Sequence, residues 1–290
     1  MRGAGKQEEG RRPCVIITGA SSGIGLATAQ LYLNRGWEVY NFSRRPGPVE
    51  DLDPTLRGRL HHKVVDLRSR ETIERAVTEV LAEQRRVDLV ISNAGYGIAG
   101  AIEETGEEDY LAQYDVNVFG ALRLVQVLLP VLRRELARQP KAGDYRPCLL
   151  FVSSLAAVLP IPYQAFYSAT KSSLVSLVRC LKMECRDVDI RISVLCPGDV
   201  STGFTAHRQT LELRPESPYY QRQLRSIQRM EKDERAGKPA SYVAQALYRL
   251  SQKRRPKSCY VLGFSYRCFY LLAQILPLRL ADFILAKLYA

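Results

Sequence analysis

The octapeptide TGASSGIG occupies residues 18–25, between a short apolar run and a segment with helical periodicity. The run CVIIT (14–18) predicts a strand, whereas Leu26, Ala29 and Leu33 recur at the spacing of one helix face. The three glycines permit a tight turn and a close approach of the backbone to a ligand. The free N–H groups at the start of the helix suit an anion such as a pyrophosphate. The stretch therefore predicts a dinucleotide-binding βα unit.

The rest of the chain continues this alternation of strand and helix patterns. Strand candidates lie at 37–42, 61–67, 87–92, 148–153, 190–196 and 258–263, and helix candidates at 25–36, 69–85, 108–138, 163–186 and 241–252. Strands separated by helices of this length form βαβ units with a parallel sheet. We therefore predict an α/β protein with one Rossmann-type domain, a doubly wound parallel sheet with helices on both faces. We expect the longest helix to bend near Pro130, which lacks a backbone donor.

The chain divides into a short polar start, one domain and a tail. We predict a flexible N-terminus at 1–12, the domain at 13–263 and an apolar, basic C-terminal tail at 264–290. Within the domain, residues 202–239 are polar, rich in Arg and Gln, and interrupt the βα alternation. We expect this segment to be a flap over the substrate.

Composition excludes several classes of protein. Apolar residues make up 46% of the 290 residues, which is enough for a large core. The 7 cysteines are odd in number and lack CxxC spacing, which disfavours disulfide and zinc frameworks and favours a reducing compartment. The polar N-terminus has no apolar signal-peptide segment, so we expect a cytoplasmic, non-secreted protein. The histidines show no metal-ligand spacing, and we predict no metal site.

Positive charge is concentrated in the last quarter of the chain. The net charge is +12, and residues 222–290 contain 14 Lys and Arg against 4 Asp and Glu. A solvated basic surface explains this, and attraction to anionic lipid or to an anionic cofactor is the more specific interpretation. We predict no nucleic-acid partner, because no aromatic-interleaved basic motif or nucleic-acid-binding module is visible.

The end of the second strand bears on the choice of cofactor. A carboxylate there binds the ribose of NAD, whereas an arginine accommodates the 2′-phosphate of NADP. This chain has Ser43, Arg44 and Arg45 and no acid. The pattern favours NADP(H) over NAD(H), with solvated arginines as the alternative. Asp66, after the third strand, suits either the adenine amine or helix capping ahead of Ser69.

The stretch FVSSLAAVLPIPYQAFYSATK (151–171) contains a candidate acid/base group. Lys171 lies one helical turn after Tyr167, so its charge favours the phenolate and lowers a tyrosine pKa that is ordinarily about 10. A tyrosine with a lowered pKa exchanges protons more easily at neutral pH. Tyr163 is two turns from Lys171 at the start of the helix, and we expect it at the mouth of the pocket. A core tyrosine is the alternative interpretation of Tyr167.

Six motifs in this order resemble those of the short-chain dehydrogenases/reductases. They span most of the chain: TGASSGIG, SNAG (92–95), Asn117 in DVNVFG, Ser154, Tyr167-x-x-x-Lys171 and PGDVST (197–202). Residues 95–104 and 119–130 further resemble the branch that includes 17β-hydroxysteroid and retinol dehydrogenases. SNAG replaces the commoner NNAG and YSATK the commoner YxASK, and both changes keep the chemical groups.

The resemblance implies a hydride transfer between a nicotinamide and a carbonyl or secondary alcohol. It implies a tetrad of Asn117, Ser154, Tyr167 and Lys171, with Asn117 holding a water that relays protons to Lys171. Ser154 is selected over Ser153 because the serine of the family stands thirteen residues before the tyrosine. A satisfied amide in a bent helix is the alternative for Asn117.

The resemblance also implies binding residues and an assembly. The cofactor set is Gly19, Ser21, Ser22, Gly23, Ile24, Gly25, Ser43, Arg44, Arg45, Asp66, Leu67, Asn93, Ala94, Gly95, Tyr167, Lys171, Pro197, Gly198, Val200 and Thr202. The substrate pocket set is Tyr96, Ser154, Tyr163 and Phe204. We expect a homodimer or homotetramer built on the helices at 108–138 and 163–186.

Apolar side chains in the flap suggest a hydrophobic small-molecule substrate that is steroid-, retinoid- or lipid-like. The tail at 268–289 is apolar but interrupted, and its apolar runs are shorter than the ~20 residues that span a bilayer. It either packs against the domain or a partner subunit or lies on a membrane surface as an amphipathic helix. Two other functions are an NAD(H)-dependent alcohol dehydrogenase of small substrates and a non-catalytic dinucleotide-binding or membrane-associated regulator. The retained Tyr167 and Lys171 disfavour the second.

Overall fold

Seven parallel strands form the central sheet in the computed structural model, which describes residues 11–48, 50, 52–138, 145–202, 208–212 and 214–289. The strands of this sheet and of two small two-stranded sheets are β1 (Cys14–Thr18), β2 (Glu38–Ser43), β3 (Leu60–Val64), β4 (Leu89–Ser92), β5 (Ile98–Ala99), β6 (Cys148–Val152), β7 (Arg191–Cys196), β8 (Val200–Ser201), β9 (Gln209–Thr210), β10 (Lys238–Pro239) and β11 (Cys259–Val261). The sheet order is β11-β7-β6-β4-β1-β2-β3, and β5 pairs with β9 and β8 with β10 in two small sheets. The predicted doubly wound parallel sheet is confirmed.

Helices cover both faces of this sheet. They are α1 (Gly23–Asn34), α2 (Pro54–Arg57), α3 (Arg70–Gln84), α4 (Glu107–Tyr114), α5 (Ala121–Arg138), α6 (Ala165–Glu184), α7 (Tyr220–Arg235), α8 (Ala240–Ser251), α9 (Phe264–Ile275) and α10 (Leu278–Tyr289). The side chains of alternate residues of β1 lie in hydrophobic cores on opposite faces of the sheet. Ile16 packs with α3, α5 and α6, and Ile17 packs with α1 and α8. All five residues of β1 are buried, as a strand covered on both faces requires.

The carboxyl ends of three neighbouring strands are tied together beside the glycine loop. Gly19 N donates to Phe42 O at 2.9 Å. Thr18 Oγ1 accepts from the backbone N–H groups of Asn93, at 2.9 Å, and Ala94, at 3.0 Å. The strand order reverses on the two sides of β1, which is where open α/β sheets bind ligands.

The longest predicted helix is distorted well before Pro130, and the bend predicted near Pro130 stays a prediction. A π-helical turn at Asp115–Gly120 separates α4 from α5, and Pro130 lies inside α5. This turn buries Asn117, which is 1% exposed. A π-helical turn within an α-helix often marks a functional site, and here it displaces the backbone around a predicted site residue.

Helix α6 begins later than predicted. Tyr163 has a φ of 60°, in the left-handed region, and therefore stands outside the helix that starts at Ala165. Its carbonyl accepts from Gly100 N at 2.9 Å. The prediction that the helix starts at Tyr163 is wrong, because the chain turns sharply here after two prolines.

The ends of the domain are partly described. Residues 1–10 of the predicted flexible N-terminus lie outside the described residues, whereas Arg11 pairs with Asp88 at 2.5 Å. The flap contributes β9, α7 and β10, and Phe204 and Leu213 lie outside the described residues. The tail forms two helices, α9 and α10.

Among the described residues, one helical stretch at 107–138 is long and apolar enough to cross a membrane by length and composition. Half of its most apolar part is buried within the protein (50%). Leu124, Leu128 and Leu132 of this stretch are at most 1% exposed and belong to the core. A core helix satisfies the same criterion, and this stretch packs as one.

Replacing Gly25 by alanine should destabilise the protein. A Cβ at this position would overlap the Gly19 carbonyl and lie 2.7 Å from Asn93 Nδ2. Overpacking against backbone costs about 1–3 kcal/mol of unfolding free energy. Gly58→Ala is the matched control, since a Cβ there meets nothing within 4 Å and φ is −64°. Thermal unfolding checks the pair, and equal midpoints would contradict the close loop–helix contact.

Candidate active site

A cleft of about 900 Å³ opens at the carboxyl edge of the sheet. Glycine-loop residues, the ends of the strands, the flap and both tail helices line it. All predicted cofactor residues line this cleft except Gly25, which packs between the loop and Asn93. Most of the predicted set is therefore brought together by the fold.

The glycine loop has the form of an anion cradle. Gly19 and Gly23 have φ values of 69° and 54°, which disfavour other residues. Asn41 Oδ1 accepts from Ala20 N at 3.1 Å and holds the loop from beneath. Ser22 caps α1 without a side-chain bond to it, and the first turn has no acidic residue. The loop thus offers backbone donors and no opposing charge to a phosphate group.

Two exposed arginines follow β2 at the rim of the cleft. Arg44 and Arg45 both line it, and Ser43 Oγ donates to Arg45 O at 2.6 Å, which fixes the turn that presents them. Asp66 also lines the cleft and pairs with Arg68 at 2.6 Å, and the hydrogen bonds from Arg68 lower its pKa. Capping of α3 is performed by Ser69, which accepts from Thr72 N, so the capping alternative for Asp66 is wrong. The residues present fit a nicotinamide dinucleotide.

Tyr167 and Lys171 lie together in the cleft. Lys171 Nζ is 5.7 Å from the centroid of the Tyr167 ring. The lysine is 5% exposed, and its Nζ donates to Val152 O at 3.1 Å, at the end of β6. One helical turn on α6 therefore places a phenol and an ammonium group beside the strand ends.

The pKa of the tyrosine moves in the direction opposite to the sequence expectation. Burial raises the pKa of Tyr167 to about 12, and a hydrogen bond with the Ser154 side chain opposes this rise. Burial also lowers the pKa of Lys171 to about 8. In this structure burial is the largest influence on the pKa of both groups, because it removes the water that would solvate their charged forms.

The two adjacent serines have different roles. Ser153 is buried, and its Oγ donates to Lys171 O at 2.9 Å, which ties β6 to α6. Ser154 lines the cleft, and its Oγ accepts from Ala156 N at 3.1 Å. The Ser154 side chain also hydrogen-bonds with that of Tyr167, so the serine hydroxyl lies beside the phenol in the cleft.

Asn117 does not line the cleft. Its Nδ2 donates to Tyr96 O at 2.9 Å and to Thr170 Oγ1 at 3.1 Å, and its Oδ1 accepts from Tyr96 N at 3.0 Å. A Cβ on Gly95 would lie 3.0 Å from Asn117 Oδ1 and 3.3 Å from Lys171 Nζ. The amide of Asn117 holds the loop after β4 close to the lysine. Its hydrogen bonds match the alternative interpretation of Asn117 as a satisfied amide. The water relay that the family resemblance implies stays a prediction.

The predicted substrate residues are only partly assembled. Tyr96 and Ser154 line the cleft. Tyr163 does not, because its left-handed backbone places it outside α6, whereas Ile161 and Gln164 on either side do line it. Its predicted place at the pocket mouth is therefore corrected. Phe204 lies outside the described residues.

Sequence reasoning missed the contribution of the tail. Six large apolar side chains of α9, α10 and the link between them line the cleft: Phe269, Leu272, Leu276, Ile284, Leu285 and Leu288. Tyr266 anchors the first tail helix, since its hydroxyl donates to Asp199 Oδ2 at 2.7 Å and its ring occupies the space that a side chain at Gly198 would need. Their recurrence at helical spacing in the sequence was the signal that could have indicated an apolar helix face in the tail.

A buried ion pair was missed as well. Arg208 donates to the carboxylate of Glu234, and Glu234 lines the cleft. The two residues are far apart in sequence, so no local pattern connects them. No group of three or more His, Cys, Asp or Glu side chains that could hold a metal is present in the described ranges.

Comparison with known proteins identifies the class. A family model described as short chain dehydrogenase matches residues 13–212. This chain belongs to that family, the short-chain dehydrogenases/reductases, and is an NAD(P)-dependent oxidoreductase. The resemblance stated from the motifs is confirmed.

Individual relatives extend the comparison. A 3-ketodihydrosphingosine reductase of Bacteroides thetaiotaomicron is 35% identical over 243 residues, which cover 83% of this chain and 84% of that protein. A Burkholderia phymatum family member in complex with NAD has a TM-score of 0.77 at 24% identity, covering 92% of this chain and 94% of that one. A Thermococcus sibiricus alcohol dehydrogenase complexed with 5-hydroxy-NADP has a TM-score of 0.69 at 25% identity, covering 88% and 98%. Relatives of this fold thus include complexes with either cofactor.

Proposed function

We propose that this protein is an NADP(H)-dependent reductase of a hydrophobic carbonyl compound, with the reverse alcohol oxidation on the same site. The observation that carries the proposal is the grouping of Ser154, Tyr167 and Lys171 beside the glycine loop in one cleft. Tyr167 is the proposed general acid/base.

The chain supplies the proton and the charge stabilisation. A nicotinamide cofactor held by the glycine loop and the rim residues would supply the hydride for the carbonyl carbon. Tyr167 then gives its phenolic proton to the carbonyl oxygen, where negative charge develops. Ser154 donates a hydrogen bond to the same oxygen. Lys171 in its ammonium form stabilises the phenolate that remains, and the product is an alcohol.

The preference for NADP(H) rests on charge at the rim. Arg44 and Arg45 are exposed where the second strand ends, and Asp66, the nearest acid in that part of the cleft, is neutralised by Arg68. A 2′-phosphate meets two cations there and no unpaired carboxylate among the described residues at that rim. A free ribose hydroxyl gains no comparable contact.

The proposed substrate is a lipid-like ketone. Apolar side chains from both tail helices cover the cleft beyond Tyr167, so a long hydrocarbon chain can be buried there. The relative that acts on a ketodihydrosphingosine aligns over most of both chains, which supports a substrate of that kind.

We also propose that the protein is a homodimer or homotetramer. The predicted interface helices present exposed apolar side chains, namely Leu111 on α4, Leu122 on α5 and Leu177 on α6.

The outer face of the tail is the proposed membrane contact. Phe264, Leu271 and Ile275 of α9 fall on one stripe and are 85%, 59% and 80% exposed, and Leu278, the first residue of α10, is 75% exposed. None of them lines the cleft. The basic last quarter of the chain attracts anionic lipid, and the inner side of the same helices faces the substrate space. An anionic bilayer is therefore the proposed occupant of this face.

Polar substitution of the outer face should abolish membrane binding. We expect the wild type to float with vesicles of phosphatidylcholine and phosphatidylserine, and the triple variant Phe264→Ser, Ile275→Ser, Leu278→Ser to remain unbound because it lacks the apolar face. Val64→Ser with Ile102→Ser is the control, because both are exposed apolar residues outside the tail, the cleft and the proposed subunit interface, and it should float. Failure of the wild type to float would contradict the proposal. Self-association lost only in the triple variant would instead assign this face to a second copy of the chain.

Removing the rim arginines should change the cofactor preference. The double variant Arg44→Ala, Arg45→Ala should raise the KM for NADPH by about tenfold or more, because two charge-assisted phosphate contacts are lost. The KM for NADH should change little. Arg75→Ala is the control, since this exposed arginine of α3 lies outside the cleft. Steady-state oxidation of both cofactors with a long-chain ketone provides the measurement, and equal effects on both cofactors would refute the assignment.

A further inference from the structure

Two free cysteines meet at one edge of the central sheet. Cys196 ends β7 and Cys259 begins β11, and their sulfur atoms lie 3.7 Å apart. Cys196 is fully buried, whereas Cys259 is partly exposed on a strand that pairs with the sheet on one side only. Neither residue lines the cleft. The proposed reaction therefore leaves this pair of thiols unused.

The surroundings favour Cys259 as the thiol that reacts first. The hydrogen bond between the two sulfur atoms lowers the pKa of Cys259 and raises that of Cys196, and the charge of Arg179 on α6 also lowers the pKa of Cys259. The thiolate is the nucleophilic form of cysteine, and a nearby cation favours it. Cys196 is then placed to attack an oxidised Cys259 as the second thiol.

We propose that Cys196 and Cys259 are an oxidation site, at which a peroxide forms a reversible disulfide that displaces the tail and slows the enzyme. Seven free cysteines without a disulfide framework fit a reducing compartment. In such a compartment the disulfides that do form are usually transient and redox-sensing.

The chemistry needs one peroxide and two thiols. The Cys259 thiolate attacks an oxygen of hydrogen peroxide, the O–O bond breaks, and the departing hydroxide takes up a proton to become water. Cys259 is now a sulfenic acid. The Cys196 sulfur loses its proton and attacks the sulfenic sulfur, whose S–O bond breaks to release a second water. Two electrons pass from the sulfurs to the peroxide, and a thiol reductant reverses the step by exchange.

The register of the strands makes this disulfide a strained one. Cys196 lies opposite Val261 and Cys259 opposite Val194, so the two cysteines form a diagonal pair. Their sulfur atoms must close from 3.7 Å to about 2.0 Å, which pulls the edge strand β11 along β7. Strained disulfides are the more easily reduced ones and are typical of regulatory sites.

A shift of β11 reaches the cleft through the tail. Arg267 Nε of α9 donates to Val261 O at 2.9 Å, so the first tail helix follows this strand. The ring of Tyr266 on the same helix packs at Gly198, and its hydroxyl donates to Asp199. Gly198 and Asp199 both line the cleft. Closure of the disulfide therefore displaces part of the cleft wall.

The same bond acts on the lysine from below. The Ser153 side chain hydrogen-bonds with Cys196, and its Oγ also donates to Lys171 O at 2.9 Å. Rotation of the Cys196 sulfur towards Cys259 removes one partner of this serine. The tie between β6 and the lysine is thus weakened in the oxidised protein.

Treatment of the purified protein with hydrogen peroxide tests the proposal. A peptide that links Cys196 to Cys259 should appear by mass spectrometry after the remaining free thiols are blocked. The rate of NADPH oxidation with a long-chain ketone should fall by about tenfold or more, because the displaced wall misplaces the substrate, and dithiothreitol should restore it. Absence of the linked peptide, or an unchanged rate in the linked protein, would overturn the proposal.

Cysteine variants assign the effect to this pair. Cys259→Ser lacks the first reacting thiol and should keep its rate in peroxide, and Cys259→Val should do the same with a side chain that suits a strand. The double variant Cys180→Ser, Cys268→Ser lacks two exposed thiols elsewhere and should respond like the wild type. Equal losses of rate in the wild type and in both Cys259 variants would assign the damage to other residues.

A measurement without turnover separates this inference from the proposed function. The loss of rate rests on the proposed reductase function, whereas the displacement of the tail does not. Amide hydrogen exchange in α9 should be faster in the oxidised than in the reduced wild type, and equal in the two forms of Cys259→Ser. Faster exchange in a protein that reduces no ketone would keep the oxidation site and remove only the reductase assignment. Equal exchange in both forms of the wild type overturns the displacement of the tail.

Discussion

The site depends on an ammonium group buried at the carboxyl end of the sheet. Lys171 Nζ is held by the Val152 carbonyl, and Ser153 ties the backbone of the same lysine to β6. A buried charge is expensive, and here burial lowers the lysine pKa to about 8. The fold places this buried charge beside Tyr167, and the surrounding elements fix the geometry of that pair.

The same constraint explains the loops around the pair. Gly95 lacks a side chain where the chain after β4 passes between Asn117 and Lys171, and the amide of Asn117 fastens that loop through Tyr96. The π-helical turn that carries Asn117 is thus coupled to the lysine environment. On the other side of the cleft the tail helices contribute apolar side chains to its lining, and Tyr266 fixes the first of these helices through Asp199. The glycine loop, the Tyr167–Lys171 pair and the tail helices thus reach the cleft from different elements around one sheet edge.

The sequence predicted the sheet, the glycine loop and the tyrosine–lysine pair, because each follows from local periodicity or from a short motif at the end of a strand. It misjudged features that depend on long-range packing. Tyr163 has helical spacing but a left-handed backbone, and the sign of the Tyr167 pKa shift depends on burial that spacing does not reveal. The Arg208–Glu234 pair joins residues 26 positions apart and had no local signal. The tail was recognised as apolar, but its place over the cleft is a tertiary property.

The central claim is that Tyr167, and not its neighbour Tyr163, transfers the proton. Single-turnover reduction of a long-chain ketone, followed by loss of NADPH absorbance, tests it with Tyr167→Phe and Tyr163→Phe side by side. Removal of a general acid lowers the rate by about 10²–10⁴-fold, and the account predicts this for Tyr167→Phe. Tyr163→Phe should react at nearly the wild-type rate, since that side chain lies outside the cleft. A wild-type rate for Tyr167→Phe, with cofactor binding intact, would contradict the account.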